Sequence, residues 1–106
     1  MKKIIYIDMD NVLVDFKTGI AKLGKDVQVE YEGHLDDVPG IFSLMEPMEG
    51  AIDAFNKLSQ SEKYDVYILS TAPWDNSTAW SAKVEWVKKY LGVNGYKRLI
   101  LSHHKN

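Results

Sequence analysis

Three short apolar segments rich in β-branched residues each end abruptly in polar side chains, and this pattern restricts the fold more than any other feature. The segments are residues 4–7, 66–69 and 99–101. Continuous apolar runs of this length are typical of strands buried in a parallel sheet. Asp8 follows the first segment, Ser70 and Thr71 follow the second, and Ser102 follows the third. The pattern therefore predicts a sheet whose polar groups collect at the carboxyl ends of its strands.

Helical periodicity fills the intervals between these segments. Apolar side chains recur there at spacings of three and four, in the sets Leu13, Phe16, Ile20 and Leu23; Ala51, Ile52, Phe55 and Leu58; and Trp80, Val84, Val87 and Leu91. Strands that alternate with helices favour a parallel sheet with right-handed crossovers. We therefore predict one α/β domain over residues 1–106, with a three-layer, doubly wound parallel sheet. Residues 25–46 break the alternation and predict a short insertion between the first helix and the second.

Composition narrows the choice of partners and compartment. The 106 residues are 45% hydrophobic and 26% charged, as in ordinary globular domains. Thirteen basic and fifteen acidic residues give a net charge of -2, and without a basic run we expect no nucleic-acid polymer as partner. The absence of cysteine excludes disulfide and thiolate chemistry and suits a reducing compartment. The first apolar run has four residues against the roughly 20 that span a bilayer, so we expect a cytoplasmic protein without membrane contact.

Two carboxylates follow the first predicted strand, at Asp8 and Asp10. In near-extended backbone, residues two apart project to the same side. Two carboxylates on one side suit a hard cation such as Mg²⁺, or divided roles as nucleophile and general acid. The competing interpretation is that Asp8 caps a turn while Asp10 begins the next helix.

The other two segment ends supply further candidate side chains. The hydroxyl of Ser70 and the free backbone N–H groups beside Thr71 could hold a phosphoryl oxygen, although a plain turn would look the same. Lys105 follows the third segment and could neutralise phosphate charge, or belong to a solvated tail. Trp74 follows Pro73 near the second segment end and could border the same pocket.

Taken in order, these residues resemble the haloacid dehalogenase-like superfamily of phosphotransferases. Its first motif, D-x-D-x-[TV]-[LV], is matched by residues 8–13, its second by Ser70, and its third by a lysine for which Lys105 is the candidate. The chain is most similar to the 5'(3')-deoxyribonucleotidases. That likeness rests on DMDNVLVDF at 8–16, EPMEGA at 46–51 and WVKKYLG at 86–92.

The resemblance implies a Mg²⁺-dependent phosphomonoesterase acting on deoxyribonucleoside monophosphates. Asp8 would attack phosphorus and form an aspartyl-phosphate. Asp10 would protonate the leaving nucleoside oxygen and then activate water. Mg²⁺ would be held at Asp8 and Asp10, the carboxylate of the first and the backbone carbonyl of the second.

The resemblance also implies which residues contact the substrate. Ser70 with its neighbour Thr71, and Lys105, would hold the phosphoryl oxygens. Phe16 and Phe42 would line the nucleoside side of the site, with core packing as the competing role for both.

Two departures from the family pattern generate further expectations. The insertion at 25–46, which corresponds to the family's cap, is short. The family's fourth motif, a strand ending in paired acids, has no counterpart after Lys105, so we expect a C-terminally truncated member with weakened metal binding. In the superfamily that strand lies beside the first one, so an exposed edge and self-association are expected.

Two other functions compete with the nucleotidase. One is a catalytically weak or inactive remnant that binds phosphate without turnover. The other is a receiver-type signalling domain, which is disfavoured because such domains carry their phosphorylated Asp after a later strand, whereas the later segments here end in Ser70 and Ser102.

Overall fold

The fold is an α/β arrangement, seen in a computed structural model that describes residues 2–103. In chain order the elements are β1 (Lys3–Ile7), β2 (Val14–Asp15), α1 (Phe16–Ala21), α2 (Lys25–Glu30), β3 (Glu46–Pro47), α3 (Ala51–Ser59), β4 (Tyr64–Thr71), α4 (Ser77–Tyr90), α5 (Gly92–Gly95) and β5 (Leu99–Ser102). Two 3₁₀ turns, Leu35–Asp37 and Ile41–Leu44, lie between α2 and β3. None of the helices within 2–103 has the length and apolar character needed to cross a bilayer.

The three apolar segments of the sequence form one parallel sheet, as predicted. Its strand order is β1-β4-β5. Ile5 pairs with Val66 across the first interface, and Ile68 pairs with Leu99 across the second. All three strands therefore end at the same edge, which brings together the polar residues that follow them.

The core lies on one face of this sheet. Val66, Ile68 and Ser70 are buried and alternate along β4 with half-buried neighbours. Val66 and Ile68 share a buried cluster with Phe55 of α3 and Trp86 of α4. On the opposite face, Ile4 and Tyr6 are exposed. Within 2–103 the crossover helices thus cover one face of the sheet.

The predicted helices are present, with corrected boundaries. The stripe from Ala51 matches α3. The stripe from Trp80 to Val87 falls within α4, and Leu91 is the C-cap residue of that helix. Leu13 precedes α1 and is buried in the turn after Asp10, so the first helix is shorter than its apolar spacing indicates. Asn76 is the N-cap residue of α4, but its side chain is committed elsewhere.

Residues 25–46 contain α2 and the two 3₁₀ turns, and Ile41, Phe42 and Met45 belong to the same buried cluster as Val66 and Ile68. The amide of Asn76 donates to the carbonyl oxygens of Asp36 at 2.8 Å and Val38 at 2.9 Å, so the insertion is fastened to the loop after β4. Gly19 of α1 is buried against Met45, and a Cβ there would lie 2.7 Å from its Cγ atom.

Candidate active site

Asp8 and Asp10 lie at the carboxyl end of β1, with Met9 turned into the core between them. Asp8 is exposed, Met9 is 1% exposed and Asp10 is half-buried, which is the alternation expected of near-extended backbone. The Met9 N–H donates to Asp8 Oδ1 at 2.8 Å. Of these three side chains, only Met9 is thus buried in the core, and the shared side of the two carboxylates stays a prediction.

A tight reversal follows Asp10 and fixes its position. Asn11 adopts a φ of 60°, in the left-handed region that Asn tolerates better than most residues. The Val14 N–H then returns to donate to the carbonyl oxygen of Met9 at 2.9 Å, and the Asn11 N–H donates to the Val14 carbonyl at 2.7 Å. Val14 continues into β2, which pairs with β3 through Val14 and Pro47. The acidic loop is consequently braced by the entry to α3.

Ser70 and Thr71 close the second strand beside this loop. Ser70 is 1% exposed, and its hydroxyl donates to the Thr71 carbonyl at 3.2 Å. The Ala72 N–H donates to the Ser102 carbonyl at 3.0 Å, so the end of β4 is held to the end of β5. The predicted convergence of strand ends is therefore present for Asp8, Asp10, Ser70 and Thr71.

Lys83 of α4 joins the acidic loop to the end of β4. Its Nζ donates to Ser70 Oγ at 2.8 Å, to the Thr71 carbonyl at 2.7 Å and to Asp10 Oδ2 at 3.1 Å. Asp10 Oδ1 is a further acceptor at 3.3 Å, so acceptors surround the three N–H donors of the ammonium. The Phe42 ring centroid lies 4.6 Å from the same Nζ. The cation is thus held where a phosphate bound at the strand ends would be close to it.

The ion pair between Lys83 and Asp10 is energetically unusual because Lys83 is buried. The Lys83 side chain is 0% exposed, whereas Asp10 is 33% exposed. A buried ammonium is strongly unfavourable unless a counter-charge and hydrogen-bond acceptors surround it. Asp10, Ser70 and Thr71 provide them. A fully buried cation beside Asp10, Ser70 and Thr71, at the ends of two strands, is an arrangement typical of functional sites.

Sequence reasoning overlooked Lys83, because the stripe of Trp80, Val84, Val87 and Leu91 left it off the predicted buried face. The buried face of α4 is rotated from that stripe and consists of Ala79, Ala82, Lys83, Trp86 and Val87. Trp80 is only half-buried and Val84 is 38% exposed. The available signal was the pair of small residues, Ala79 and Ala82, at helical spacing with a lysine. All three of these residues are buried on one face of α4.

The remaining predicted site residues are Phe16, Phe42 and Lys105, and the structure describes the first two. Phe42 is 3% exposed and contacts the half-buried Phe16 edge-on, with ring centroids 5.8 Å apart. Both rings therefore pack beside the site, and their contact with a nucleoside stays a prediction. Lys105 lies outside the described residues, so its predicted phosphate contact also stays a prediction.

The carboxylate oxygens at the strand ends are ligands of the type that a hard divalent cation prefers. Asp8 and Asp10 both offer carboxylate oxygens, and Mg²⁺ commonly uses one or two carboxylates together with substrate phosphate and water. Among residues 2–103 there is no group of three or more His, Cys, Asp or Glu side chains arranged to hold a metal. The site as described therefore fits a cation that the substrate helps to bind.

The parallel sheet, the paired acids after β1, the serine after β4 and the buried lysine together define an α/β domain of the haloacid dehalogenase-like class. Comparison with known proteins refines this. The family described as "5' nucleotidase, deoxy (Pyrimidine), cytosolic type C protein" matches residues 33–106. The chain belongs to this family.

Individual relatives agree with the family match. A Vibrio phage KVP40 protein named "Putative 5'(3')-deoxyribonucleotidase" is 59% identical over 104 residues, covering 98% of this chain and 60% of its own length. The human "5'(3')-deoxyribonucleotidase, cytosolic type" is 24% identical over 128 residues, covering 95% of this chain and 64% of its own length. A Staphylococcus epidermidis protein with the same name as the phage protein is 29% identical over 123 residues. The match covers 96% of this chain and 67% of the Staphylococcus protein. The chain thus spans about three fifths of the length of the phage and human relatives.

Proposed function

We propose that the chain carries the phosphoryl-transfer centre of a Mg²⁺-dependent phosphomonoesterase that hydrolyses deoxyribonucleoside monophosphates. The observation that carries this proposal is the buried Lys83, held against Asp10 and Ser70 at the strand edge where Asp8 also lies. The names of the phage and human relatives support a nucleotide as the substrate. The human relative's name also favours the cytoplasm as the compartment.

The proposed chemistry has two steps. In the first step Asp10 takes part in its protonated form. A carboxylate oxygen of Asp8 attacks phosphorus, the bond from phosphorus to the nucleoside oxygen breaks, and the proton of the Asp10 carboxyl passes to that oxygen. In the second, Asp10 takes a proton from water while the water oxygen attacks phosphorus, which releases inorganic phosphate and restores Asp8. Both steps need the two carboxylates on one side of the loop, and Met9 lies buried between them.

Lys83 would stabilise the phosphoryl group during both steps through its charge. Its N–H groups are directed to Asp10, Ser70 and the Thr71 carbonyl, and a phosphate beside Asp8 would lie near enough to the ammonium for its charge to offset the negative charge that spreads over the phosphoryl oxygens. The cation is already in place because its other contacts hold it, so little reorganisation is needed at the moment of reaction. Lys105 would add a second positive charge.

Mg²⁺ would be held by Asp8 and Asp10, and when bound it would neutralise phosphate charge and align the ester for in-line attack. The protein residues do the remaining work: they orient the phosphate, move the proton and form the covalent bond.

The test is release of inorganic phosphate from deoxyuridine and thymidine monophosphates, with and without Mg²⁺. We expect Mg²⁺-dependent release that is lost in Asp8→Asn, since the amide is not a nucleophile. Lys83→Met should lower kcat/KM about 100-fold or more, in the range found when a transition-state charge partner is removed. Release that is unchanged in Asp8→Asn would overturn the proposed chemistry.

A second function, phosphate binding without turnover, would use the positive charge that Lys83 places beside Ser70 and would need neither attack by Asp8 nor a metal. A folded chain that binds inorganic phosphate but releases none from either nucleotide would favour this function.

A further inference from the structure

Trp74 stands exposed at the same edge of the sheet as the phosphate-binding cluster. It is 78% exposed and lies in the loop between β4 and α4. Its indole contacts the His103 ring edge-on, with centroids 4.9 Å apart, and His103 in turn contacts Trp80 at 5.3 Å. The Trp80 indole N–H donates to the Pro73 carbonyl at 3.2 Å. The exposed indole of Trp74 therefore packs against His103, which packs in turn against Trp80.

The loop that carries Trp74 is anchored at both ends. The Ala72 N–H donates to the Ser102 carbonyl at 3.0 Å. At the other end Asn76 is 3% exposed and donates to the carbonyls of Asp36 and Val38 in the insertion. Since the loop is held on both sides, little conformational freedom of its backbone is left to lose when a ligand contacts the indole.

The indole is within reach of a nucleotide whose phosphate lies at the strand ends. Thr71, whose carbonyl accepts from Lys83 at 2.7 Å, is three residues before Trp74. Three residues of extended chain span at most about 10 Å. The Cα atoms of Thr71 and Trp74 are therefore at most about 10 Å apart, which is the scale of one nucleoside monophosphate.

Other aromatic side chains offer less surface for a base. Phe42, which the family resemblance places at the nucleoside, is 3% exposed. Tyr6 and Tyr96 are exposed at 56% and 68%, but Tyr6 lies within β1 and Tyr96 precedes β5, away from the carboxyl ends of the strands. In the part of the chain that the structure describes, Trp74 is thus the exposed aromatic ring that follows a strand end.

We propose that Trp74 is the stacking surface for the nucleobase of the substrate, with His103 and Trp80 supporting its ring. The placement of the phosphate rests on the proposed function. Stacking of a base on an aromatic side chain is sequence-tolerant, because every base has a π-face. Trp74 would therefore confer preference for a nucleotide over a sugar phosphate without selecting one base.

The experiment measures binding in the absence of turnover. In the Asp8→Asn chain, thymidine monophosphate and deoxyribose 5-phosphate are titrated by calorimetry, with Trp74→Ala, Trp74→Phe and a matched control, Tyr96→Ala, in the same background. We expect Trp74→Ala to weaken thymidine monophosphate binding about tenfold or more, and deoxyribose 5-phosphate binding by less than about twofold. Trp74→Phe should retain most of the affinity, and Tyr96→Ala all of it.

Equal weakening of both ligands by Trp74→Ala would overturn the proposal, as would no weakening of either or no binding at all. Phosphate release by the chain with Asp8 intact separates this inference from the proposed function. Release from both compounds with the same kcat/KM in wild type and Trp74→Ala would refute stacking and leave the phosphatase proposal standing. Base-dependent binding lost in Trp74→Ala, without release from either compound, would support stacking and refute the phosphatase.

Discussion

Replacing either partner of the Asp10–Lys83 ion pair should destabilise the fold, and by unequal amounts. Asp10→Asn removes the carboxylate but leaves the ammonium of Lys83, whose side chain is 0% exposed, in a place that water does not reach. Lys83→Met removes the ammonium but leaves Asp10, which is 33% exposed and can be hydrated. The cost of breaking a buried pair is set mainly by the charge that stays behind.

The magnitudes follow from those exposures. Loss of one partner of a buried ion pair typically costs about 3–5 kcal/mol, and because Asn retains a carbonyl acceptor for Lys83 we expect about 3 kcal/mol for Asp10→Asn. Among residues 2–103, Lys83→Met removes the 2.7 Å donor to the Thr71 carbonyl and leaves the longer 3.2 Å contact from the Ser70 hydroxyl. One weakened buried hydrogen bond costs about 1–2 kcal/mol. The methionine side chain would recover part of this by packing on the Phe42 ring.

The assay is urea unfolding of the two single variants and the double variant, followed by circular dichroism. We expect the order of stability to be wild type, then Lys83→Met, then Asp10→Asn, with the double variant more stable than Asp10→Asn alone. The thermal unfolding midpoints should follow the same order. For a domain near this size, each kcal/mol of lost unfolding free energy should lower the midpoint by about 4–8 °C. If Lys83→Met is as destabilised as Asp10→Asn, or the double variant falls below both, burial of the cation is not the controlling factor.

Two further predictions concern packing and the sheet edge. Gly19→Ala should cost about 1–3 kcal/mol of unfolding free energy, because the new Cβ would lie 2.7 Å from Met45 Cγ and 3.2 Å from the Ile41 carbonyl. Gly24→Ala is the matched control, because nothing lies within 4 Å of a Cβ at Gly24. It should cost less than about 1 kcal/mol of unfolding free energy in the same urea titration. Equal losses in the two variants would refute close packing at Gly19. We also propose that β1, which pairs with β4 alone among the described strands, mediates self-association through its outer edge. Ile4→Lys should then shift a concentration-dependent dimer toward monomer in light scattering, while Val93→Lys should not, and a wild-type chain that stays monomeric at all concentrations would contradict this.

The sequence predicted the sheet and the position of its polar strand ends for the same physical reason. Short β-branched apolar runs that end in polar residues are typical of buried parallel strands, whose ends meet at one edge, so Asp8, Asp10 and Ser70 could be grouped from the sequence. Their grouping depends on backbone direction and register, which the local pattern carries.

The remaining features depend on tertiary packing that local patterns do not carry. Lys83 is buried on the same face of α4 as Ala79 and Ala82, whereas a charged residue on a helix usually indicates a solvated face. The two-residue strands β2 and β3 pair across more than 30 positions and have no periodicity of their own. Asn76 shows the same limit, since a helix N-cap is what its position predicts, while its amide reaches two carbonyls in the insertion.

The central claim is that Asp8 is the nucleophile of a nucleotide phosphatase, and a trapped intermediate tests it most directly. The chain is mixed with thymidine monophosphate and Mg²⁺, quenched in acid within the first turnover, digested and analysed by mass spectrometry. The account predicts one phosphoryl group on the peptide that contains Asp8, absent in Asp8→Asn and formed at most slowly in Lys83→Met. Phosphate release at a normal rate with no phosphoryl group on Asp8, or with the group on another side chain, would contradict it.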